Sequence, residues 1–219
     1  MKTRVSITFV ALIVGLGMLP TTARAATAEG AAYQSSYDFE ARGAYAEAVA
    51  ALMTVPTAAR SKYTYALRLG WLNYLAGRHG EAIAAYRRAI AAAPKAVEPR
   101  LGLTLPQMAQ RRWLDVERTA RDVQRLDPHS YLGLSRQAFA LYNLGRFAAA
   151  EAVYTRVVAL YPSDVEMRAG LAWAMLERGD TAAAATQFRD ILAVAPKHAS
   201  AQAGARACAG VGMPLAGSR

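Results

Sequence analysis

Apolar positions in this chain recur in clusters three and four residues apart, the spacing of one face of a helix. The clearest stretch runs from Gly77 to Ile90, Gly-Arg-His-Gly-Glu-Ala-Ile-Ala-Ala-Tyr-Arg-Arg-Ala-Ile, and closes at Pro94. It predicts a short break, an amphipathic helix and a proline stop. The pattern returns in steps of 34. Pro94, Pro128, Pro162 and Pro196 keep that step without an insertion. Gly43, Gly77, Gly145 and Gly179 keep it too, with Arg111 in the vacant place. Ala48, Ala82, Ala150 and Ala184 follow, with Val116 in the gap. A large residue recurs at Leu52, Tyr86, Tyr154 and Phe188, with Ala120 the exception. Self-similarity at one fixed period predicts an all-α array of stacked helical units, each burying its apolar face on its neighbours.

The first stretch breaks the pattern. Lys2 and Arg4 precede a largely apolar run from Val5 to Leu19, Pro20 interrupts it, and Ala23-Arg24-Ala25 follows. That order predicts a cleavable signal peptide over 1–25, cut after Ala25, and a periplasmic or secreted protein. The run is short for a membrane span, which needs roughly 20 apolar residues; an uncleaved anchor is the competing reading. No other segment is apolar enough to span, so the exported chain is expected to have no integral membrane span.

Export changes what the charge means. The whole chain carries a formal net charge of +10, and cleavage after Ala25 would leave 23 basic and 16 acidic residues, a net of +7. Nucleic acid is not an expected partner outside the cell. Acidic proteins, anionic glycans and lipid headgroups are better matches, while solvated arginine-rich helix faces explain the same composition without any partner. Cys208 is the only cysteine, so no internal disulfide can form.

The period, with Leu69-Gly70 in one predicted helix and Ala82, Tyr86, Ala89 and Pro94 in the next, resembles the tetratricopeptide repeat, a helix-turn-helix unit. The resemblance covers units 29–62, 63–96, 97–130, 131–164 and 165–198 within a domain spanning 26–198. It implies a right-handed superhelical solenoid of about five repeats. Gly70, Ala138 and Ala172 are small where two helices must approach, and Tyr86, Tyr154 and Phe188 fill the space between. Two units depart. The first has Arg60 in the proline position and Pro56 earlier, which predicts a shortened or kinked second helix. The third has Pro106 inside its expected first helix, which predicts a kink or a split, and Ala120 where neighbours are aromatic, a gap that Trp113 is expected to fill. Residues 199–219 read as a short capping helix and a loose tail from Met213.

The resemblance further implies that the first helices line a concave face that holds a peptide or a partner's helix. The ninth place of each unit is Tyr37, Trp71, Leu105, Phe139 and Trp173; three places on stand Glu40, Tyr74, Met108, Tyr142 and Leu176. Residues three apart share a helix face, so a stripe of large side chains is predicted along the inner helices. It is either core between units or a binding surface. Arg68 and Arg136 hold equal places beside it and are candidates for gripping a carboxylate or phosphate. The candidate groove is therefore Tyr37, Arg68, Trp71, Tyr74, Arg136, Phe139, Tyr142 and Trp173.

Catalysis finds little support. His79, His129 and His198 fall in predicted turns, far apart and without a ligand cluster, and no phosphate loop or nucleophile elbow is present. No cofactor, no metal and no catalytic residue is expected. The reading is a non-enzymatic scaffold that binds a partner protein or peptide in its groove and assists assembly of an envelope complex. The alternative is a module associated with a polysaccharide or cell-wall polymer, its aromatic row stacking on sugar rings.

Overall fold

In a computed structural model, residues 21–211 are described; the apolar run Val5–Leu19 and the tail from Met213 lie outside them. The described residues form eleven α-helices, one short 3-10 turn and no strand. The helices are α1 (Thr21–Ala41), α2 (Tyr45–Leu52), α3 (Tyr63–Leu75), α4 (His79–Ala92), α5 (Glu98–Ala109), α6 (Trp113–Leu126), α7 (Tyr131–Asn143), α8 (Phe147–Leu160), α9 (Val165–Glu177), α10 (Thr181–Val194) and α11 (Ala199–Val211). Each packs on the next in chain order, which makes an all-α solenoid of helix pairs.

The periodic residues end the helices by simple means. Ala93, Asp127, Tyr161 and Ala195, each just before a proline, leave the helical region with ψ of 79°, 92°, 70° and 72°. The proline ring crowds the preceding residue out of the α conformation, so α4, α6, α8 and α10 all stop two residues short of it. At the turn inside each pair the backbone passes through positive φ at Gly43, Gly77, Gly145 and Gly179, and Arg111 adopts the same conformation at φ 54°. The vacant place in the glycine series is thus an arginine held where glycine is at ease.

The two irregular units resolve differently. α2 is only eight residues long, and Pro56 leads into the 3-10 turn Thr57–Ala59 instead of a further helical turn. Arg60, in the proline position, donates from Nε to the Val55 carbonyl (2.9 Å) and from Nη2 to that of Met53 (2.6 Å), and so covers the carbonyls beyond the short helix. At Pro106 the expected split does not occur: α5 runs unbroken from Glu98 to Ala109. Proline there deletes one rung of the helix ladder, the one to the Gly102 carbonyl. Around that defect Pro106 and Thr104 are buried, and α5 is packed between α4, α6, α3 and α7. Trp113 opens α6, and its ring meets Phe139 of the following pair edge-on at 5.5 Å. The last helix also runs further than its glycines suggest, through Gly210 to Val211.

Successive pairs are locked by a relation of sixteen residues. Tyr86, Tyr154 and Phe188 are buried on second helices. Sixteen residues on, in the next helix, stand Gly102, Gly170 and Gly204, where an added Cβ would come within 2.3, 2.5 and 2.2 Å of those rings. Where the second helix carries Leu52 or Ala120 instead, the residue sixteen on is Arg68 or Arg136. Each of these arginines turns back by 32 residues to a hydroxyl on the preceding first helix. Arg68 donates to Ser36 Oγ (3.2 Å) and Arg136 to Thr104 Oγ1 (2.6 Å). Those hydroxyls occupy the place held by Gly70, Ala138 and Ala172 in the aromatic units, and each donates to a carbonyl three residues back, Tyr33 O and Leu101 O. One interface therefore has two solutions: an aromatic ring between small residues, or an arginine joined to a hydroxyl.

Candidate functional site

Curvature follows from which helices touch. Beyond the chain-order packing, α3 packs on α5, α5 on α7, α7 on α9 and α9 on α11. No comparable packing joins the second helices among the described residues. The stack is closer on its first-helix side, so α3, α5, α7 and α9 line the inner surface.

On that surface the ninth-place row is largely open. Tyr37 is 52%, Trp71 36% and Phe139 41% exposed, while Tyr74, Tyr142 and Trp173 are half-buried. Each ring is nonetheless held. Trp71 Nε1 donates to Glu40 Oε1 (2.6 Å) and packs on Tyr74 at 5.9 Å; Tyr74 in turn meets His79 at 6.0 Å. Tyr142 meets Phe147 at 5.4 Å. Trp173 packs edge-on against Phe188 at 5.4 Å and donates to Ser200 Oγ (2.9 Å), which ties α9 to α11.

The two candidate arginines are taken up by the chain itself. Arg68 is buried; it pairs with Glu40, donates to Ser36, and lies 3.7 Å over the Tyr37 ring. Arg136 is half-buried and donates to Thr104 and to the Leu101 carbonyl. Burial lowers the Arg136 pKa from its usual value, with Tyr74 and Tyr86 acting the other way. A guanidinium already spent on neighbouring helices has little left for a ligand. Both arginines join one helix pair to the one before it.

The aromatic residues gather at two clefts. One, about 260 Å³, lies beside Trp71, Leu67, Leu101, Leu105 and Tyr86, and Glu98 and Arg136 also line it. The other, about 370 Å³, opens between α7 and α9 and is walled by Phe139, Tyr142, Tyr154 and Trp173. Met167, Ala169, Gly170, Glu166 and Ser200 complete its lining. Burial raises the Tyr154 phenol well above its usual pKa and raises that of Tyr142, which Glu177 pushes further through its charge and a hydrogen bond. Both phenols are therefore neutral donors at neutral pH. The sequence reading missed Tyr154, Met167 and Glu166 as cleft residues. Tyr154 belongs to a second helix and reads as pure core; Gly170, sixteen residues later, is the signal that its ring reaches the inner face.

No helix among the described residues is long and apolar enough to cross a membrane, and no group of three or more His, Cys, Asp or Glu among them could hold a metal ion.

Comparison with known proteins places these features. Residues 26–97 and 141–208 each match a family profile described as tetratricopeptide repeat, together nearly two thirds of the chain. The unmatched stretch between them holds Pro106, Ala120 and Arg136. No curated protein matches the sequence. Among solved structures, a tetratricopeptide repeat protein from Parabacteroides merdae superposes with a TM-score of 0.75 at 16% identity, over 83% of this chain and 72% of that one. The MamA protein superposes with a TM-score of 0.70 at 13% identity, over 88% and 100%. A thermophilic protein of the same repeat class from Thermus thermophilus gives 0.57 at 19%, over 83% and 99%. At such identities the likeness is one of fold.

Proposed function

The chain belongs to the tetratricopeptide-repeat family, and on that footing we propose that it is an exported, non-enzymatic scaffold whose inner face binds a segment of a partner protein and helps assemble an envelope complex. The observation that carries the reading is the open row Tyr37, Trp71 and Phe139 running into the four-ring cleft at α7 and α9. Large rings fixed by their own contacts give contact area at small entropic cost. The flanking arginines contribute by holding the pairs in register, and Arg136 also lines the cleft beside Trp71.

Export is part of the proposal. α1 begins at Thr21 and continues through the Ala25–Ala26 bond. Its packing onto α2 and α3 uses Ala32, Tyr33 and Phe39, all beyond that bond. Removal of 1–25 leaves these three residues in place. Mass spectrometry of the protein from the periplasm is expected to find Ala26 at the N-terminus; an intact Met1 in the cytoplasm would sink this part.

Binding is tested with Trp71→Ala and Phe139→Ala, chosen because both rings are exposed. Each is expected to reduce recovery of the partner from envelope extract at least tenfold while lowering stability by less than about 1 kcal/mol. If stability collapses along with recovery, the row is core and the reading fails. Trp173 is a poor choice for this test, because it also secures α11.

A further inference from the structure

Uncommitted charge on the inner face has the opposite sign to the chain as a whole. The protein is basic at +10. Yet among the first helices from α3 to α9 every basic side chain is engaged within the chain. Arg68 and Arg136 bridge to the preceding pair, Arg100 donates to the Ala96 carbonyl (2.7 Å), and Arg168 lies 3.9 Å from Asp190 on α10. The same helices leave Glu166 and Glu177 exposed. Glu166 is 71% exposed at the edge of the α7–α9 cleft, and no lysine or arginine lines that cleft. His198 Nε2 lies 3.1 Å from the Glu166 carboxylate. His198 Nδ1 accepts the Ala201 amide proton (3.1 Å), so the ring is anchored at the start of α11.

Four aromatic rings, two of them phenols, and one exposed carboxylate form an environment suited to a cation. An ammonium or guanidinium over ring faces gains from their quadrupoles, and more where water is displaced. A neutral apolar side chain would use the rings and leave Glu166 idle. A carboxylate or phosphate would meet Glu166 as a like charge.

We propose that the cleft between α7 and α9 is a cation cage that takes one arginine or lysine side chain of the bound partner segment. The alkyl stem lies along Phe139 and Trp173, the charged head sits among the rings, and Glu166 pairs with it at the mouth. The inference rests on the inner face being the binding surface. It adds that the partner is a basic segment, although the protein itself is basic.

An array of random nonapeptides is probed with the purified protein, and the best binder is titrated by calorimetry. Binders are expected to be enriched in arginine or lysine. Replacing that residue by citrulline or acetyl-lysine is expected to weaken binding at least tenfold. Glu166→Gln, at an exposed position, is expected to weaken it about fivefold and to flatten its salt dependence. Binders that are neutral or acidic, yet lose affinity with Phe139→Leu, overturn the cage and leave the inner-face reading standing. Binders indifferent to Phe139→Leu and Glu166→Gln overturn both, as does an array without any binder.

Discussion

Replacing Gly102 by alanine should destabilise the protein, against the intrinsic preference of a helix. Gly102 lies inside α5, where alanine is favoured over glycine by about 1 kcal/mol. The new methyl would lie 2.3 Å from Tyr86 Cε1 and 2.5 Å from Cζ, against about 3.5–4.0 Å for carbons at rest. Tyr86 is 2% exposed and packed among Ala82, Ile83 and Leu103, so its ring can yield only by shifting into the cleft it lines beside Trp71, away from its packed position. Overpacking of this kind costs about 1–3 kcal/mol, and an overlap this deep belongs at the upper end. Subtracting the helix gain leaves a net loss of about 2 kcal/mol, or about 4–8 °C in melting temperature for a chain of this size. The assay is a double-mutant cycle in urea and thermal unfolding, followed by far-UV circular dichroism. In a Tyr86→Leu background, the same Gly102→Ala change is expected to stabilise by about 0.5–1 kcal/mol, because the clash is gone and the helix preference remains. The reversal of sign implies a coupling of about 2–3 kcal/mol, which neighbours in contact show and distant sites do not. Should Gly102→Ala raise stability with Tyr86 in place, the account of the interface by ring and glycine is refuted.

Arg111→Gly is expected to stabilise by about 1 kcal/mol, since a residue with a Cβ at φ 54° bears a strain that glycine does not; an unchanged or lower urea midpoint would contradict this. At high pH, Tyr131 and Tyr63 are the groups to watch. Tyr131 is raised from 10.0 to about 12, chiefly by donating to Asp164; Tyr63 is raised to about 12 by desolvation and then by Glu98. A phenol held protonated in the folded state contributes stability that is complete below pH 10 and is lost as pH rises towards 12. Urea midpoints are therefore expected to fall between pH 10 and 12, and Tyr131→Phe is expected to reduce the slope of that fall.

The sequence made the period, the turns and the helix ends readable because each rests on a local rule. Pro94, Pro128, Pro162 and Pro196 each stop a helix, and a glycine recurring at steps of 34 marks the same turn. Of the kink or split expected at Pro106, the split does not occur, for the converse reason. Its effect depends on α5 being packed by four neighbouring helices, which a local rule does not weigh. Arg68 and Arg136 looked like ligands because equal spacing beside an aromatic row suggested a shared outward role. Their equal spacing instead reflects Ser36 and Thr104, and the comparison that reveals it runs across units at sixteen and 32 residues. Glu166 escaped notice because its meaning lies in what surrounds it, an aromatic cleft without a compensating base.

The sixteen-residue rule also constrains how such a chain can be cut and rejoined. Each matched pair straddles a proline, with its ring or small residue before the break and its glycine or arginine after it. Exchange of segments at the prolines would seat Tyr86 against Arg136, or leave Ala120 facing Gly170. Exchange at the tight turn within a unit carries Tyr86 with Gly102, and Ala120 with Arg136, into the new setting. That exchange still parts Tyr86 from Gly70 and Arg136 from Thr104, which lie before the turn, so the interchangeable cassette runs from the small or hydroxyl residue of one first helix, through the second helix, to the glycine or arginine of the next.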